Sequence, residues 1–251
     1  MRPRAQPGAS PPCWPARPLA PPSSSHSSTN TYSFTDFDNK TPLPAGSPNR
    51  DTHERRRQTV QQEIRFRRLT EDDLDRMHRW LNTPHVMRWY SPGGRTRAQV
   101  EQEFGPYIRR EKPTEPYLIL YGNTPIGYIQ TYRINHWPEY ARHIGVDDDT
   151  AGVDVFIGEP EFVGRGLGPA AIRAFMRQVV FGSFGARSCV IGPEEGNLAA
   201  IRAYEKAGFR FWKRADVPGE PAPEYLMRMT PEDLQADDVH AAARPDANVH
   251  P

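Results

Sequence analysis

Alternating apolar and polar residues mark the start of an ordered domain near residue 64. The segment 64–69, IRFRRL, alternates large apolar side chains with arginines, as a half-buried strand does. Thr70-Glu71-Asp72-Asp73 has the composition of a helix start, and apolar residues then recur at helical spacing as far as Leu81. Pro84 ends this pattern. The domain is therefore predicted to begin with a strand followed by a helix.

A second helix and a hairpin are predicted next. Apolar residues at 100, 104, 107 and 108 fit one helical face. Residues 116–121 and 125–132 are rich in β-branched and aromatic side chains and flank a Gly-Asn turn, which is typical of paired strands. On the second strand, Gln130 and Tyr132 share a face. They are candidates to line a polar cavity, and a solvated sheet face is the alternative.

The segment 152–158, GVDVFIG, is predicted to be a strand that leads into a glycine-rich turn. Its alternation places Asp154 and Phe156 on one face. The turn 163–168, VGRGLG, is followed by a helix-like run. Alternate glycines let a backbone approach a ligand closely, and a helix start adds the positive end of its dipole. Such a corner can bind phosphate, although its spacing matches neither the dinucleotide fingerprint nor the nucleoside triphosphate loop.

The remaining pattern completes a sheet with helices. Residues 187–191 read as a strand, and residues 197–209 read as a helix with an asparagine N-cap and a glycine C-cap. Two further strands are predicted at 211–213 and 225–229. Residues 136–149 are predicted to be a loop that includes an acidic run.

Composition predicts one domain with tails. Residues 1–60 hold many of the 27 prolines of this 251-residue chain and little apolar periodicity, so we expect a disordered tail rich in Pro, Ser and Arg. The domain is predicted over 61–230, and residues 231–251 are expected to form a flexible C-terminal tail.

Charge and hydropathy limit the class of protein. The net charge is +1 and no large basic block occurs, so a nucleic-acid partner is not expected. No apolar run approaches the roughly 18 residues of a membrane span, so the protein is expected in the cytoplasm without a membrane partner. Only Cys13 and Cys189 occur, and neither a disulfide framework nor a metal site is expected.

Two of these motifs together resemble a known superfamily. Val163 to Gly168 and Asn197 to Phe209 resemble the two acetyl-coenzyme A motifs of the GNAT superfamily of N-acetyltransferases, and the similarity is closest to the aminoglycoside 6'-N-acetyltransferases. It runs from residue 64 to residue 229. The resemblance implies the GNAT fold, a single α/β (α+β) domain whose mixed, mostly antiparallel central sheet is flanked by helices. It also implies acetyl-coenzyme A as cosubstrate, no metal, a small cationic amine as substrate and a monomer or homodimer.

The resemblance assigns the coenzyme site to the strand, the glycine turn and the capped helix. Val163 departs from the family pattern, which usually has Gln or Arg there, but backbone N–H groups hold most of a pyrophosphate and Arg165 still supplies a charge. The implied coenzyme-binding residues are Phe156, Ile157, Val163, Gly164, Arg165, Gly166, Leu167, Gly168, Asn197, Ala200, Tyr204 and Lys206.

Asp154 and Tyr204 are the predicted catalytic residues. Acetyl transfer to an amine needs a group that receives the amine's proton and an acid for the departing thiolate. In the resembled aminoglycoside enzymes an aspartate matches Asp154, whereas siderophore-type lysine acyltransferases have a histidine there. Asp154 is either the direct base or a group that only positions the amine. Tyr204 is predicted to protonate the sulfur, and an aromatic packed on a helix face is the alternative.

The predicted acceptor site combines aromatic and acidic residues. Trp89 and Tyr90 precede a Pro-Gly-Gly loop and, if extended, point to opposite sides, so at least one faces away from the core or covers something; core packing is the alternative for either residue alone. Gly192 stands where the resembled enzymes have an aspartate, and Glu194, Glu195 and Glu224 are the candidates to replace it. The candidate substrate-binding residues are Trp89, Tyr90, Gln130, Tyr132, Glu139, Asp154, Glu194 and Glu224.

The sequence therefore favours a cytoplasmic acetyl-coenzyme A-dependent aminoglycoside 6'-N-acetyltransferase that confers antibiotic resistance. A siderophore-type hydroxylysine or small-amine N-acyltransferase of the same fold is the first alternative. A non-catalytic acyl-coenzyme A-binding module is the second, and the presence of both Asp154 and Tyr204 argues against it.

Overall fold

A seven-stranded sheet organises the part of the chain that the computed structural model describes, residues 63–146, 149–216 and 223–235. The N-terminal tail predicted over 1–60 lies outside these ranges, as do Asp147 and Asp148 of the acidic run. Within them, no helix has the length and hydrophobicity needed to cross a membrane.

Strands and helices follow one another in an order that matches the predicted hairpin, the strand before the glycine turn and the capped helix. A π-helical segment, Met176–Ser183, continues the helix that follows the glycine turn. In chain order the elements are β1 (Ile64–Arg68), α1 (Leu74–Leu81), α2 (Pro84–Met87), α3 (Arg97–Ile108), β2 (Thr114–Tyr121), β3 (Thr124–Arg133), α4 (Pro138–Ile144), β4 (Thr150–Ile157), α5 (Leu167–Phe175), β5 (Ser188–Ile191), α6 (Leu198–Ala207), β6 (Arg210–Ala215) and β7 (Glu224–Met229).

The sheet has the order β1-β2-β3-β4-β5-β7-β6, and its neighbours are antiparallel except for β4 and β5. These two parallel strands pair only from Thr150 with Ser188 to Gly152 with Val190. Strand β4 continues to Ile157, still paired with β3. The sheet therefore opens beyond Gly152, and the edge of β4 that faces away from β3 is left without a strand neighbour. The mixed, mostly antiparallel sheet of a GNAT fold is confirmed.

Apolar side chains cover both faces of the sheet. Ile129 of β3 belongs to the cluster that includes Phe175 of α5, and Tyr128 belongs to the cluster that includes Trp80 of α1 and Phe104 of α3. Burying each such side chain stabilises the fold by about 1.5–3 kcal/mol. The solvated face considered for Gln130 is wrong, because α1 and α3 cover that side of β3 and leave Gln130 1% exposed.

The capping hydrogen bonds predicted at the start of the first helix are confirmed. The Thr70 N–H and hydroxyl both donate to Asp73 Oδ2, at 3.0 and 2.9 Å. Arg67 of β1 donates to both Asp73 oxygens. Burial raises the pKa of Asp73, but these hydrogen bonds outweigh it and hold the pKa below its ordinary value. A charged Asp73 therefore ties β1 to α1.

The loop predicted over 136–149 is wrong in its first half. A 3₁₀ turn covers Ile134–His136, and helix α4 follows. Pro138 stands at the first helical position, where its missing N–H costs nothing, and Gly145 ends the helix with φ 57°. Ile144 is fully buried, so tertiary packing stabilises a helix too short to show clear periodicity.

The ordered region also extends past residue 230, where the domain was predicted to end. Residues 231–235 are helical. Leu234 is 5% exposed, and its carbonyl accepts a hydrogen bond of 2.8 Å from Arg173 of α5. The rest of the predicted C-terminal tail lies outside the described residues.

Gly158, directly after β4, provides a test of how tightly α1 packs on the sheet. A Cβ built on Gly158 would overlap the indole of Trp80, which is fully buried. We expect Gly158→Ala to destabilise the fold by about 1–3 kcal/mol, measured by denaturant unfolding, because a packed core tolerates added volume poorly. Gly168→Ala, in the first turn of α5 with open space around its Cβ position, is the control and should change stability by less than about 1 kcal/mol. Equal behaviour of the two variants would contradict the packing.

Candidate active site

A cavity of about 530 Å³ lies where β4 and β5 separate. Strand β4, the turn after α2, the loop 192–197 and helices α3 and α6 contribute to its wall, together with the start of β7. The lining side chains with functional groups or aromatic rings are His85, Trp89, Tyr90, Ser91, Arg95, Glu103, Asp154, Phe156, Glu194, Glu195, Asn197, Tyr204, Glu224 and Tyr225.

Asp154 lines this cavity from β4 and is 6% exposed. Its partner in the β3–β4 register is Gln130, whose Nε2 donates to Asp154 Oδ2 at 2.5 Å. The other end of the same amide, Oε1, accepts a 2.6 Å hydrogen bond from the Tyr128 hydroxyl. Gln130 thus lies behind Asp154 and outside the cavity wall, so its predicted direct contact with substrate is not supported.

Two other predicted substrate-binding residues also lie outside the wall of the cavity. Tyr132 is 1% exposed, and its ring packs 5.3 Å from that of Trp137. Glu139 is exposed on α4, which was predicted to be a loop. The alternation of residues in β3 gave the correct face for Tyr132, but helix α4 and the strand pairing bury that part of the face in an apolar cluster.

The predicted aromatic and acidic residues meet at the cavity. Trp89 and Tyr90 follow α2 in a turn, so both reach the cavity instead of pointing to opposite sides as in an extended chain. The Tyr90 ring lies 4.6 Å from the ring of Phe156. Glu194 lines the cavity from an exposed loop, and Glu224 lines it from the start of β7 while accepting a 2.9 Å hydrogen bond from Tyr140.

The glycine turn has the geometry of an anion site. Gly164 and Gly166 have φ of 76° and 79°, a region that glycine occupies without strain. Both are exposed, and a Cβ on either would meet nothing within 4 Å. Gly166 is the N-cap of α5, and the first N–H groups of a helix have no intrahelical acceptor. Val163 lines the cavity, so the turn begins at its wall.

The other residues of the turn differ in their exposure and in the groups they could present to a ligand. Arg165 is exposed, with its guanidinium 5.3 Å from the ring centre of Phe162. Leu167 is 3% exposed and packs in the core, so only its backbone could reach a ligand. Gly168 presents open space in the first turn of α5. The turn can therefore offer an anion its backbone N–H groups and the exposed positive charge of Arg165.

Helix α6 forms the facing wall, and its predicted caps are confirmed. The Asn197 side chain accepts a 3.1 Å hydrogen bond from the Ala200 N–H, and Gly208 ends the helix with φ 112°. Tyr204 is 9% exposed and lines the cavity, as do Asn197 and Ala200. Lys206 is exposed and lies outside the wall.

Glu103 and Arg95 line the cavity although the sequence reasoning missed them. Burial raises the pKa of the Glu103 carboxyl above its ordinary value, and Arg95, 3.5 Å away, opposes that rise. The sequence did contain a sign that Glu103 faces inward. It falls on the same helical face as Val100, Phe104 and Tyr107, where an acidic residue is unexpected.

His85 was also missed, and its ring lies against the end of β4. The Nε2 atom is 2.9 Å from the carbonyl oxygen of Ile157. A carbonyl only accepts hydrogen bonds, so Nε2 carries the proton and donates. This bond holds α2 against the open stretch of β4.

The charged residues that line the cavity are predominantly acidic. Arg95 is the only lysine or arginine among its described lining residues. The carboxylates are Asp154, Glu103, Glu194, Glu195 and Glu224, of which Glu195 is paired with Arg214 outside the wall. Within the described ranges, no cluster of three or more His, Cys, Asp or Glu could hold a metal ion. Strand β4 thus borders a cavity with acidic side chains and leads, beyond its end, to the glycine turn.

Known proteins match this chain over the same region. Residues 70–217 match the family model of the acetyltransferase (GNAT) domain. An aminoglycoside N(6')-acetyltransferase type 1 from Klebsiella pneumoniae is 31% identical over 167 residues, covering 63% of this chain and 80% of that protein. The lysine N-acyltransferase MbtK from Mycobacterium sp. (strain MCS) is 24% identical over 168 residues, covering 64% of this chain and 65% of that protein.

A solved structure agrees with the sequence matches. The aminoglycoside acetyltransferase AAC(6')-Ib in complex with coenzyme A and kanamycin aligns with a TM-score of 0.61 and 28% identity, over 70% of this chain and 99% of that chain. The family match covers more than half of the chain and includes strand β4 and helix α6, which both line the cavity. This chain therefore belongs to the GNAT acetyltransferase family.

Proposed function

We propose that this protein transfers the acetyl group of acetyl-coenzyme A to the 6' primary amine of an aminoglycoside. The observation that carries the proposal is the buried Asp154 carboxylate, held from behind by Gln130 in a cavity whose charged lining residues are mostly acidic. Aminoglycosides are polycations, and a cavity of one charge sign concentrates ligands of the other. The similarity to aminoglycoside acetyltransferases supports the same acceptor. Acting in the cytoplasm, such an enzyme would confer antibiotic resistance.

The acetyl donor is assigned to the open edge of β4 and the turn beyond it. The N–H groups around Gly164 and Gly166, with the start of α5, fit the pyrophosphate of coenzyme A. The edge of β4 beyond Gly152 has no strand partner on the side away from β3, so its backbone groups fit the amide groups of the pantetheine arm. The Ile157 carbonyl at the end of this edge is already bound by His85. Arg165 adds a charge-assisted contact to phosphate.

Asp154 is assigned to the amine. A carboxyl at an ordinary pKa of about 3.9 cannot deprotonate an ammonium near 10 in the ground state, because the roughly six-unit gap costs about 8 kcal/mol. Asp154 therefore first holds the amine by a charge-assisted hydrogen bond. Because an ammonium has no lone pair, the amine then loses one proton to solvent and attacks in its neutral form. Asp154 accepts the second proton, directly or through water, once attack on the carbonyl carbon has made the nitrogen acidic. Trp89, Tyr90, Glu194 and Glu224 wall the rest of the acceptor.

Tyr204 is assigned to the leaving sulfur. A free phenol has a reference pKa of about 10, close to that of a thiol near 8.5, so a tyrosine can protonate a departing thiolate with little penalty. Tyr204 lines the cavity from α6, on the wall that faces β4. A backbone N–H of β4 would donate to the carbonyl oxygen as negative charge develops there.

A thiol-release assay with a panel of amines tests the acceptor class. We expect coenzyme A release with kanamycin and tobramycin, and product analysis should place the acetyl group on the 6' nitrogen. Hydroxylysine and spermidine serve as comparison acceptors. Turnover only with hydroxylysine would favour a siderophore-type acyltransferase, and no turnover with any amine would favour a binding module.

Asp154→Asn tests the assigned acceptor residue. The change keeps side-chain size and removes the charge, so we expect kanamycin turnover to fall about a hundredfold or more, while the Kd for acetyl-coenzyme A changes less than about threefold. Asp75→Asn is the matched control, because Asp75 is an exposed carboxylate on α1 that pairs with Arg97 outside the cavity. Near-parental turnover of the Asp154→Asn enzyme would remove Asp154 from the mechanism.

Gly166→Asp tests the coenzyme turn. The new carboxylate would stand at the helix start where a pyrophosphate is proposed, so we expect the Kd for acetyl-coenzyme A, measured by calorimetry, to rise about tenfold or more. Gly166→Ala is the control, since it imposes the same positive φ on a residue with a Cβ but adds no charge. If both variants weaken binding equally, backbone strain and not charge explains the loss.

A further inference from the structure

Tyr128 is a buried tyrosine that the proposed chemistry leaves without a role. It lies on β3 with no exposed surface, and its hydroxyl donates to Gln130 Oε1 at 2.6 Å. Gln130 in turn donates from Nε2 to Asp154 Oδ2 at 2.5 Å. A continuous chain of two hydrogen bonds thus connects the tyrosine to the carboxylate that lines the cavity.

The order of donors and acceptors in these two hydrogen bonds is fixed by chemistry. An ionised carboxylate only accepts hydrogen bonds, so the Gln130 NH₂ group must face Asp154 and the amide oxygen must face away. That oxygen is buried and needs a donor, which the Tyr128 hydroxyl supplies. Reversing the amide would set its oxygen against the carboxylate, so the Tyr128 hydroxyl stabilises the one amide orientation that supports Asp154.

The tyrosine itself has little freedom to move. Its ring stacks on Phe156 with centroids 5.5 Å apart and meets the edge of Phe104 at 5.4 Å. Burial, together with the nearby Tyr107, Asp154 and Glu103, raises its pKa well above the ordinary value, so the phenol stays protonated and remains a donor. A rigid, permanently protonated hydroxyl is therefore the fixed end of the chain.

We propose that Tyr128 is a positioning residue for acetyl transfer, whose hydroxyl orients the Gln130 amide and through it the Asp154 carboxylate toward the acceptor amine. The inference rests on the proposed role of Asp154. It assigns Gln130 to the support of that carboxylate and removes it from direct contact with the acceptor. The predicted consequence is kinetic, because a carboxylate displaced by a fraction of an ångström still attracts a cation but receives its proton less effectively.

The primary test is steady-state kinetics of Tyr128→Phe with kanamycin. The variant keeps the ring and removes only the hydroxyl, so we expect kcat to fall about tenfold. The KM for acetyl-coenzyme A should stay within about twofold, since β4's open edge and the glycine turn are untouched. Tyr117→Phe is the matched control: it removes a tyrosine hydroxyl that donates to Glu115 at 2.8 Å on β2, and kcat should not change.

A double-mutant cycle with Asp154→Asn separates positioning from general loosening of the core. If Tyr128 acts through Asp154, the tenfold effect on kcat should shrink to less than about twofold in the Asp154→Asn background. Full additivity of the two changes, or an unchanged kcat for Tyr128→Phe beside a strongly impaired Asp154→Asn, would overturn the inference alone. An unimpaired Asp154→Asn enzyme would instead overturn the proposed function.

A second variant covers the case in which Tyr128→Phe folds poorly because the Gln130 oxygen is left buried without its donor. Gln130→Met is close in shape and removes the amide, which takes the acceptor from the Tyr128 hydroxyl and a donor from Asp154 Oδ2. Combining it with Tyr128→Phe removes that unpaired hydroxyl as well. We expect the same fall in kcat, and adding Tyr128→Phe to it should cause no further loss. A Gln130→Met enzyme with parental kcat would contradict the chain of support.

Discussion

The separation of two parallel strands is the constraint on which the rest of this structure depends. Strand β4 pairs with β3 along its length, from Ala151 to Ile157, whereas β5 pairs with β7 on its far side. The two strands can share only the short register that ends at Gly152, and there a Cβ would lie 2.5 Å from the Tyr132 ring. Backbone groups beyond that point need partners from outside the sheet. A ligand with amide groups along its length can supply them, as a third strand would.

The two sides of the opening carry opposite electrostatic character. On one side, a glycine turn and the start of α5 present N–H groups and the positive end of a helix dipole. On the other, Asp154 and Glu224 present nearly buried carboxylates at 6% and 5% exposure. An anionic donor and a cationic acceptor can therefore approach the same strand without competing for one surface. This division follows from the topology, because the turn continues the end of β4 while the acidic residues come from β4 itself, α3, β7 and the loop after β5.

Features set by residues adjacent in the sequence, such as helix caps and strand faces, were predictable. Features set by tertiary packing between distant elements were not. The caps of α6, Asn197 and Gly208, and the face of Asp154 follow from local backbone geometry. Gln130 shares that face, yet alternation does not reveal that Tyr128 and Asp154 would enclose its amide. Glu103 is similar: its place in a helical stripe predicts that it faces the core, but not that it stands half-buried in the wall of a cavity.

In the proposed mechanism, the charge of Asp154 favours a cationic acceptor over a neutral one. The Asp154 carboxylate is nearly buried beside Phe156, so it has lost most of its hydration. Gln130 returns a hydrogen bond but carries no charge, and a neutral donor offsets only part of the desolvation of an anion. An ammonium about 4 Å away gains about 4 kcal/mol at an effective dielectric constant of about 20, whereas a neutral amine gains only a hydrogen bond. The hydrogen bond from Gln130 thus helps to fix the position of this carboxylate, and its negative charge favours a cationic over a neutral ligand.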